Sequence, residues 1–241
     1  MIRPASVAPL RLVLAALSLA TLAACAAKSP TVAAPTTPQG QTHFATPRAL
    51  VEALINACRS GDTATLVAAV GQANAALVQS GDVAADRAQC ERFVASTALM
   101  TRLDPAGPDR VVLITGTDEY PMPVPLVKDA QGWHLDTAAG VIEILHRIVG
   151  NNELRAIATC RAAARGAALP ASASGYAYRA LGGPAATLVA SPLEYRRSGV
   201  MTFLVAKNGT VYEKDLGADT VQLAAAIKGS KPDATWSVVA N

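Results

Sequence analysis

"GVMTFLVAKNGTVYEKDLG", Gly199 to Gly217, decides the fold. Two β-favouring runs flank Asn208-Gly209, a pair suited to a type I′ hairpin turn because both residues tolerate positive φ. An antiparallel hairpin with an apolar face needs neighbours, and the flanking sequence offers them. Downstream, "ADTVQLAAAIKG" reads as a short helix ending at Gly229, and "PDATWSVV" reads as a closing strand with Trp236 as its core anchor. Upstream, after Gly166, a loop-rich stretch holds short strands near Tyr176–Leu181 and Ala186–Ala190. Residues 169–241 are therefore expected to form a hairpin-centred C-terminal lobe.

Residues 46–168 read differently. Thr46 is an N-cap and Pro47 the first helical position of "TPRALVEALINACRSGD", with Leu50, Leu54, Ala57 and Cys58 on one face. Gly61 ends that helix and Asp62 caps a shorter one. A third helix runs through "SGDVAADRAQCERFVASTALMTRLD", capped by Asp82, with a stripe of Val83, Cys90, Val94 and Ala98. Asp86, Arg87, Glu91 and Arg92 alternate in sign, as a solvated face does. "RVVLITG" is a strand, and "PMPVPLVKD" is an edge strand or an extended lead-in because proline donates no ladder bond. A turn at Asp129–Gly132 leads into a short strand in which Trp133 and Leu135 share a face and His134 points away, toward solvent. Asp136-Thr137 caps the next helix, whose stripe is Val141, Ile144, Leu145 and Ile148, with His146 offset from it. Asn151 and Asn152 interrupt the pattern. A new helix restarts after them with Leu154, Ile157 and Ala158 inward. The fold class is α+β: N-terminal helices on a small antiparallel sheet, then the C-terminal lobe with its short helix.

The N-terminus carries an address. "MIRPASVAPLRLVLAALSLATLAAC" has Arg3 and Arg11, an apolar core shorter than the ~20 residues of a bilayer-spanning helix, and small residues at a cut site. Leu22-Ala23-Ala24-Cys25 resembles the lipobox of bacterial lipoproteins, which implies cleavage after residue 24 and lipidation of Cys25. Ala26, not Asp, follows the cysteine, which by resemblance to proteobacterial sorting favours the outer membrane, at its periplasmic face. Because the apolar segment ends in a lipobox, it does not continue as the assembly helix of a pilin. Residues 25–45 read as a flexible tether rich in Pro, Thr, Ala and Gln, with His43 a bystander at its end.

Without residues 1–24 the chain keeps nineteen basic against eighteen acidic residues. That balance argues against nucleic acid, whose phosphates need a concentrated basic face. Two Trp, five Tyr and three Phe are too few for a broad stacking platform. Cys58, Cys90 and Cys160 match no metal knuckle or redox pair. They read as small buried residues, with one disulfide among them left open. No Gly-rich phosphate loop and no nucleophile elbow is present. "LGGP" at 181–184 lacks the lysine and helix of the former, and "SGVM" around Ser198 lacks the context of the latter.

Several blocks together resemble one bacterial family, catalogued as domain of unknown function 2950: "FATPRALVEALINACRSGD", "LVKDAQGWHLDTAAG", "ILHRIVGNNELRAIATCRA", "SGVMTFLVAKNGTVYEKDLG" and "PDATW". The resemblance spans Phe44 to Val239, in the family's order. It implies an exported, often lipid-anchored protein and transfers no catalytic residue. The chain departs from the family between Arg161 and Gly175 and from Leu181 to Ala190, where it is shortened.

Two functional expectations follow. The first is a membrane-tethered envelope lipoprotein acting as a non-catalytic scaffold, assembly or binding module. It has the membrane and an envelope protein as partners, lipid on Cys25, and no cofactor, metal or catalytic residue. The second is a hydrolase-like enzyme with a pocket at the first sheet, for which Asp118, Glu119, His134 and Asp136 are the candidates. Paired carboxylates divide acid and base roles only where their surroundings separate their pKa values.

Overall fold

The computed structural model describes residues 40–182 and 187–240. The expected signal segment, Cys25 and most of the tether lie outside them, as does Ala186 of the expected strand.

Caps open the N-terminal helices as their residue types dictate. The Ala49 N–H donates to Thr46 Oγ1, Pro47 fills the first helical position, and Gly61 closes α1 (Pro47–Ser60) in the left-handed conformation. Asp62 accepts from Thr65 N–H at the start of α2 (Thr63–Val70), and a 3-10 segment follows at Gln72–Leu77. Asp82 accepts from Ala84 and Ala85 N–H to open α3 (Val83–Leu99). The stripe expected on α3 is not buried as such: Val83 is exposed, and Thr97 is the buried residue of α3. Arg87 and Glu91 pair on its solvated face at 3.0 Å.

α3 ends earlier than its composition predicts. Thr101–Pro105 leaves the helix as strand β1 and pairs antiparallel with β2 (Arg110–Thr115), Leu103 opposite Leu113. "PAGPD" is thus the turn of a hairpin. The partner strand overrides helical propensity here. β3 (Tyr120–Pro121) adds to β2 at its edge, and β4 (Leu126–Asp129) pairs with both β2 and β5 (Gly132–Leu135). The prolines at 121, 123 and 125 all precede β4, so the proline-rich stretch is a lead-in and β4 itself is internal. The first sheet has the order β1-β2-β4-β5 with β3 beside β2. Its core holds Leu50, Val51, Val70, Leu113, Leu126 and Leu135.

Asp136 caps α4, which runs unbroken from Thr137 to Ala164. The expected interruption at Asn151–Asn152 is absent. The Asn152 amide instead donates to Ser198 O at 3.0 Å, so a tertiary bond occupies the side chain that would otherwise compete with the helix backbone. Val141, Ile148 and Leu154 are exposed, contrary to the expected stripes. The second half of α4 buries Ala156, Cys160 and Ala163 in the C-terminal core against Tyr176 and Phe203. Small residues on the helix make room for the large rings on the sheet, so the sequence's larger apolar residues are not the contact face. α4 therefore runs on from β5 and carries its second half into the C-terminal core.

The second sheet is antiparallel, in the order β11-β10-β9-β8-β7-β6. It comprises β6 (Ser172–Ala173), β7 (Tyr176–Ala180), β8 (Leu188–Pro192), β9 (Met201–Val205), β10 (Val211–Asp215) and β11 (Ser237–Val238). α5 (Thr220–Ala226) follows β10. The β9–β10 hairpin forms as expected, but not with a type I′ turn. Ala206 N–H donates to Thr210 O and Gly209 N–H to Ala206 O, and of the turn residues only Gly209 has positive φ. This is the three-residue loop with one left-handed glycine, the next most common solution. Trp236 is half-buried, with Lys214 Nζ 5.9 Å above its ring, so it is no core anchor.

Candidate functional site

Strand alternation gives the β4–β5 hairpin two distinct faces. Leu126 opposes Leu135 on one face, and Val127 opposes His134 on the other. The Leu126/Leu135 face forms the floor of a cleft of about 470 Å³ beneath α1 and α3. Its wall is aliphatic at Leu54, Leu66, Val70, Met122 and Ile144, with Phe93 and Tyr120 the aromatic members. Asp86, Gln89 and Arg92 supply polar groups on α3. The Cys58–Cys90 disulfide, which ties α1 to α3, lines the same cleft. The cysteines thus depart from the expected set of buried thiols: two are bonded, and Cys160 alone is a buried free thiol. A mostly apolar cleft of this size with a few polar groups is the common form of a small-molecule site.

The four residues proposed from sequence as a catalytic set sit apart in their bonding. Glu119, at positive φ, accepts from Arg102 at 3.2 Å. Arg102 also forks onto Asp104, and its guanidinium holds the Asp104 carboxyl below the usual range. Asp118 lies in the β2–β3 turn, where its Oδ1 crowds Gly116. Asp136 spends one oxygen on the α4 cap and the other on Arg110 at 3.0 Å. No hydrogen bond or ion pair among the described residues joins any two of the four.

His134 is the exception to solvation. It does point away from Trp133, yet it is buried. The reason lies in residues 41–44, at the end of the stretch read as tether. Phe44 exchanges both backbone hydrogen bonds with Trp133, each 2.8 Å, so this segment lies antiparallel along β5. The Gln41 amide donates to Ala69 O and Leu135 O, and Thr42 N–H to Ala68 O, which holds the segment down against α2. In that register His43 falls opposite His134 and covers it, ring centroids 4.8 Å apart. Asp129 lies diagonally across on β4, on the same face. His43 Nε2 is 3.2 Å and His134 Nδ1 3.7 Å from Asp129 Oδ2. His43, read from sequence as a bystander, is therefore part of a cluster. Among the described residues this trio is the group whose ligand atoms, all within 4.8 Å of one another, could hold a metal ion.

The fold and cleft define an α+β protein with two sheets and a largely apolar cleft. No helix among the described residues is long and apolar enough to cross a membrane. The profile of a family described as a protein of unknown function (DUF2950) matches residues 41–169 and 163–239, and the chain belongs to that family. No curated protein and no solved structure matches it.

Proposed function

We propose that the chain is an envelope lipoprotein, anchored through Cys25, that works as a non-catalytic binding module. Its ligand is an aliphatic-chain molecule of the membrane in which the anchor sits. The observation that carries this reading is the cleft of about 470 Å³ with its aliphatic wall. Leu, Val, Ile and Met side chains suit a flexible hydrocarbon, and two aromatic side chains give little stacking surface for a planar ligand. The lipobox-like Leu22–Cys25 and the near-balanced charge support a membrane-proximal site and argue against nucleic acid. Two of the acid–base candidates, Glu119 and Asp136, are committed to separate arginines, which favours binding over turnover.

The test uses the full chain extracted from its own membrane. Native mass spectrometry is expected to find one aliphatic ligand non-covalently retained per chain, and peptide mapping a diacylglyceryl group on Cys25. After delipidation, a fluorescent polyene fatty acid should bind saturably at one site, and Met122→Trp, which fills the cleft, should abolish binding without loss of fold. Absence of saturable uptake by the delipidated protein would overturn the binding reading. An unmodified Cys25 would overturn the anchor.

A further inference from the structure

On the opposite face of the same hairpin, we propose a site for a divalent first-row transition metal of the zinc type, formed by His43 Nε2, the Asp129 carboxylate and His134 Nδ1. The ion fastens residues 41–44 onto β5. This inference does not rest on the cleft or on the anchor.

Geometry comes first. Bonds of ~2.0–2.2 Å around a tetrahedral zinc ion place its ligand atoms roughly 3.3–3.5 Å apart. The two contacts to Asp129 Oδ2, at 3.2 and 3.7 Å, bracket that spacing, and all three ligand atoms fall within 4.8 Å. The trio is held by backbone pairing of three successive strand-like segments, so little reorganisation is needed to close it around an ion.

Hydrogen-bond chemistry adds a second, independent argument. His43 Nδ1 is 3.1 Å from Gln41 O. A carbonyl only accepts, so Nδ1 carries a proton, and in a neutral ring Nε2 then presents a lone pair. That lone pair faces a carboxylate oxygen, a repulsive arrangement that a cation between them resolves. A backbone carbonyl fixing the far nitrogen is also the usual outer support of a metal-bound histidine. His134 Nδ1 is buried with no hydrogen-bond partner, and its side chain is only 8% exposed. Buried polar atoms are rarely left unpaired, and this one is aimed into the cluster.

The donor set selects the ion. Two imidazoles and a carboxylate suit zinc, nickel, copper or cobalt, whereas calcium and magnesium prefer all-oxygen shells. Three protein ligands leave a fourth position for water or an incoming donor. The competing arrangement is an ion pair between imidazolium and Asp129 with no metal, and it predicts the opposite result in each measurement below.

The full chain, stripped with chelator, is titrated with Zn²⁺ by calorimetry and with Co²⁺ by visible absorption. One Zn²⁺ per chain is expected, with intense tetrahedral Co²⁺ bands. His43→Ala and Asp129→Asn should each weaken Zn²⁺ by at least ~100-fold, more than the 10–100-fold typical of losing an outer-shell partner. His146→Ala should leave affinity unchanged. His134→Gln should behave as His43→Ala. Should it fail to fold, His43→Ala decides, because the His43 ring lies outside both apolar cores. Zn²⁺ should also slow amide exchange at Phe44 and Trp133 in the parent chain and not in His43→Ala. Absence of stoichiometric binding, or binding that survives His43→Ala, overturns the proposal.

Discussion

Gly199 packs its α-carbon directly against the ring of Tyr176. A β-carbon built at Gly199 would lie 2.6 Å from Tyr176 Cε2, closer than any real contact. Tyr176 cannot move aside, because it is fully buried and its hydroxyl donates to Met201 O at 2.8 Å. Glu153, from α4, accepts from Val200 and Met201 N–H at 2.8 and 3.0 Å, fixing the backbone on the other side. Gly199→Ala should therefore destabilise the protein by ~1–3 kcal/mol, the usual cost of overpacking a tight core. Urea denaturation checks this, and an unchanged midpoint would show that the strand can shift.

The Cys58–Cys90 bond closes a loop with a sequence separation of 32. Loop-closure entropy for that length corresponds to about 3–4 kcal/mol of stabilisation. The double variant Cys58→Ala/Cys90→Ala should lose most of that in denaturant titration. Reductant should lower the parent's midpoint and leave the double variant's untouched. Equal responses to reductant would mean that the bond does not form in the protein as isolated.

The α+β class, the main strands of both sheets and most helix starts were legible because their signals are local. Thr46, Asp62, Asp82 and Asp136 cap as their side chains dictate, and Asn208-Gly209 marks a hairpin even though the turn type differs. What could not be read is long-range. His43 meets Asp129 across 86 positions, through a segment whose composition looks like tether. Cys58 and Cys90 share no motif, and nothing near Asn152 announces Ser198 as its partner. β1 was hidden because a strand partner, not its own propensity, ends α3. In the candidate site, sequence found His134 but gave it the wrong neighbour. Asp118, Glu119 and Asp136, near one another or near His134 in the chain, share no hydrogen bond or ion pair with it among the described residues.

Cys160 carries the pH dependence. It is fully buried, and burial pushes its thiol from the ordinary 9.0 up to about 12. The folded chain thus keeps this proton where the unfolded chain has lost it. The thiol's contribution is complete below about pH 9 and is lost as pH rises toward about 12. Burial raises Tyr176 as well, so its effect adds above the ordinary tyrosine range. Stability measured by urea midpoint should fall from pH 9 upward, with a limiting slope near ~1.4 kcal/mol per pH unit for each group. Cys160→Ala should flatten the fall that begins near pH 9. Parallel pH profiles for the two proteins would count against this assignment.

Two glycines on α4 should respond in opposite directions to the same substitution. Alanine in a helix interior is favoured over glycine by ~1 kcal/mol, through backbone entropy. At Gly150 nothing lies within 4 Å of an added β-carbon, so the entropic gain stands alone. Gly150→Ala should raise stability by roughly 0.5–1 kcal/mol. At Gly140 the β-carbon would lie 2.6 Å from Val124 Cγ2 and 3.0 Å from its Cβ, inside the packed junction of α4 with the lead-in to β4. Overpacking there costs ~1–3 kcal/mol, which exceeds the helix gain, so Gly140→Ala should destabilise. Val124→Ala in the Gly140→Ala background removes the colliding methyls. It should recover part of the loss as a favourable coupling of ~0.5–3 kcal/mol between neighbours. Denaturation of the parent, the two single variants and the double variant closes the cycle. Stabilisation by Gly140→Ala, or strict additivity with Val124→Ala, would mean that Val124 does not hold α4 against the sheet.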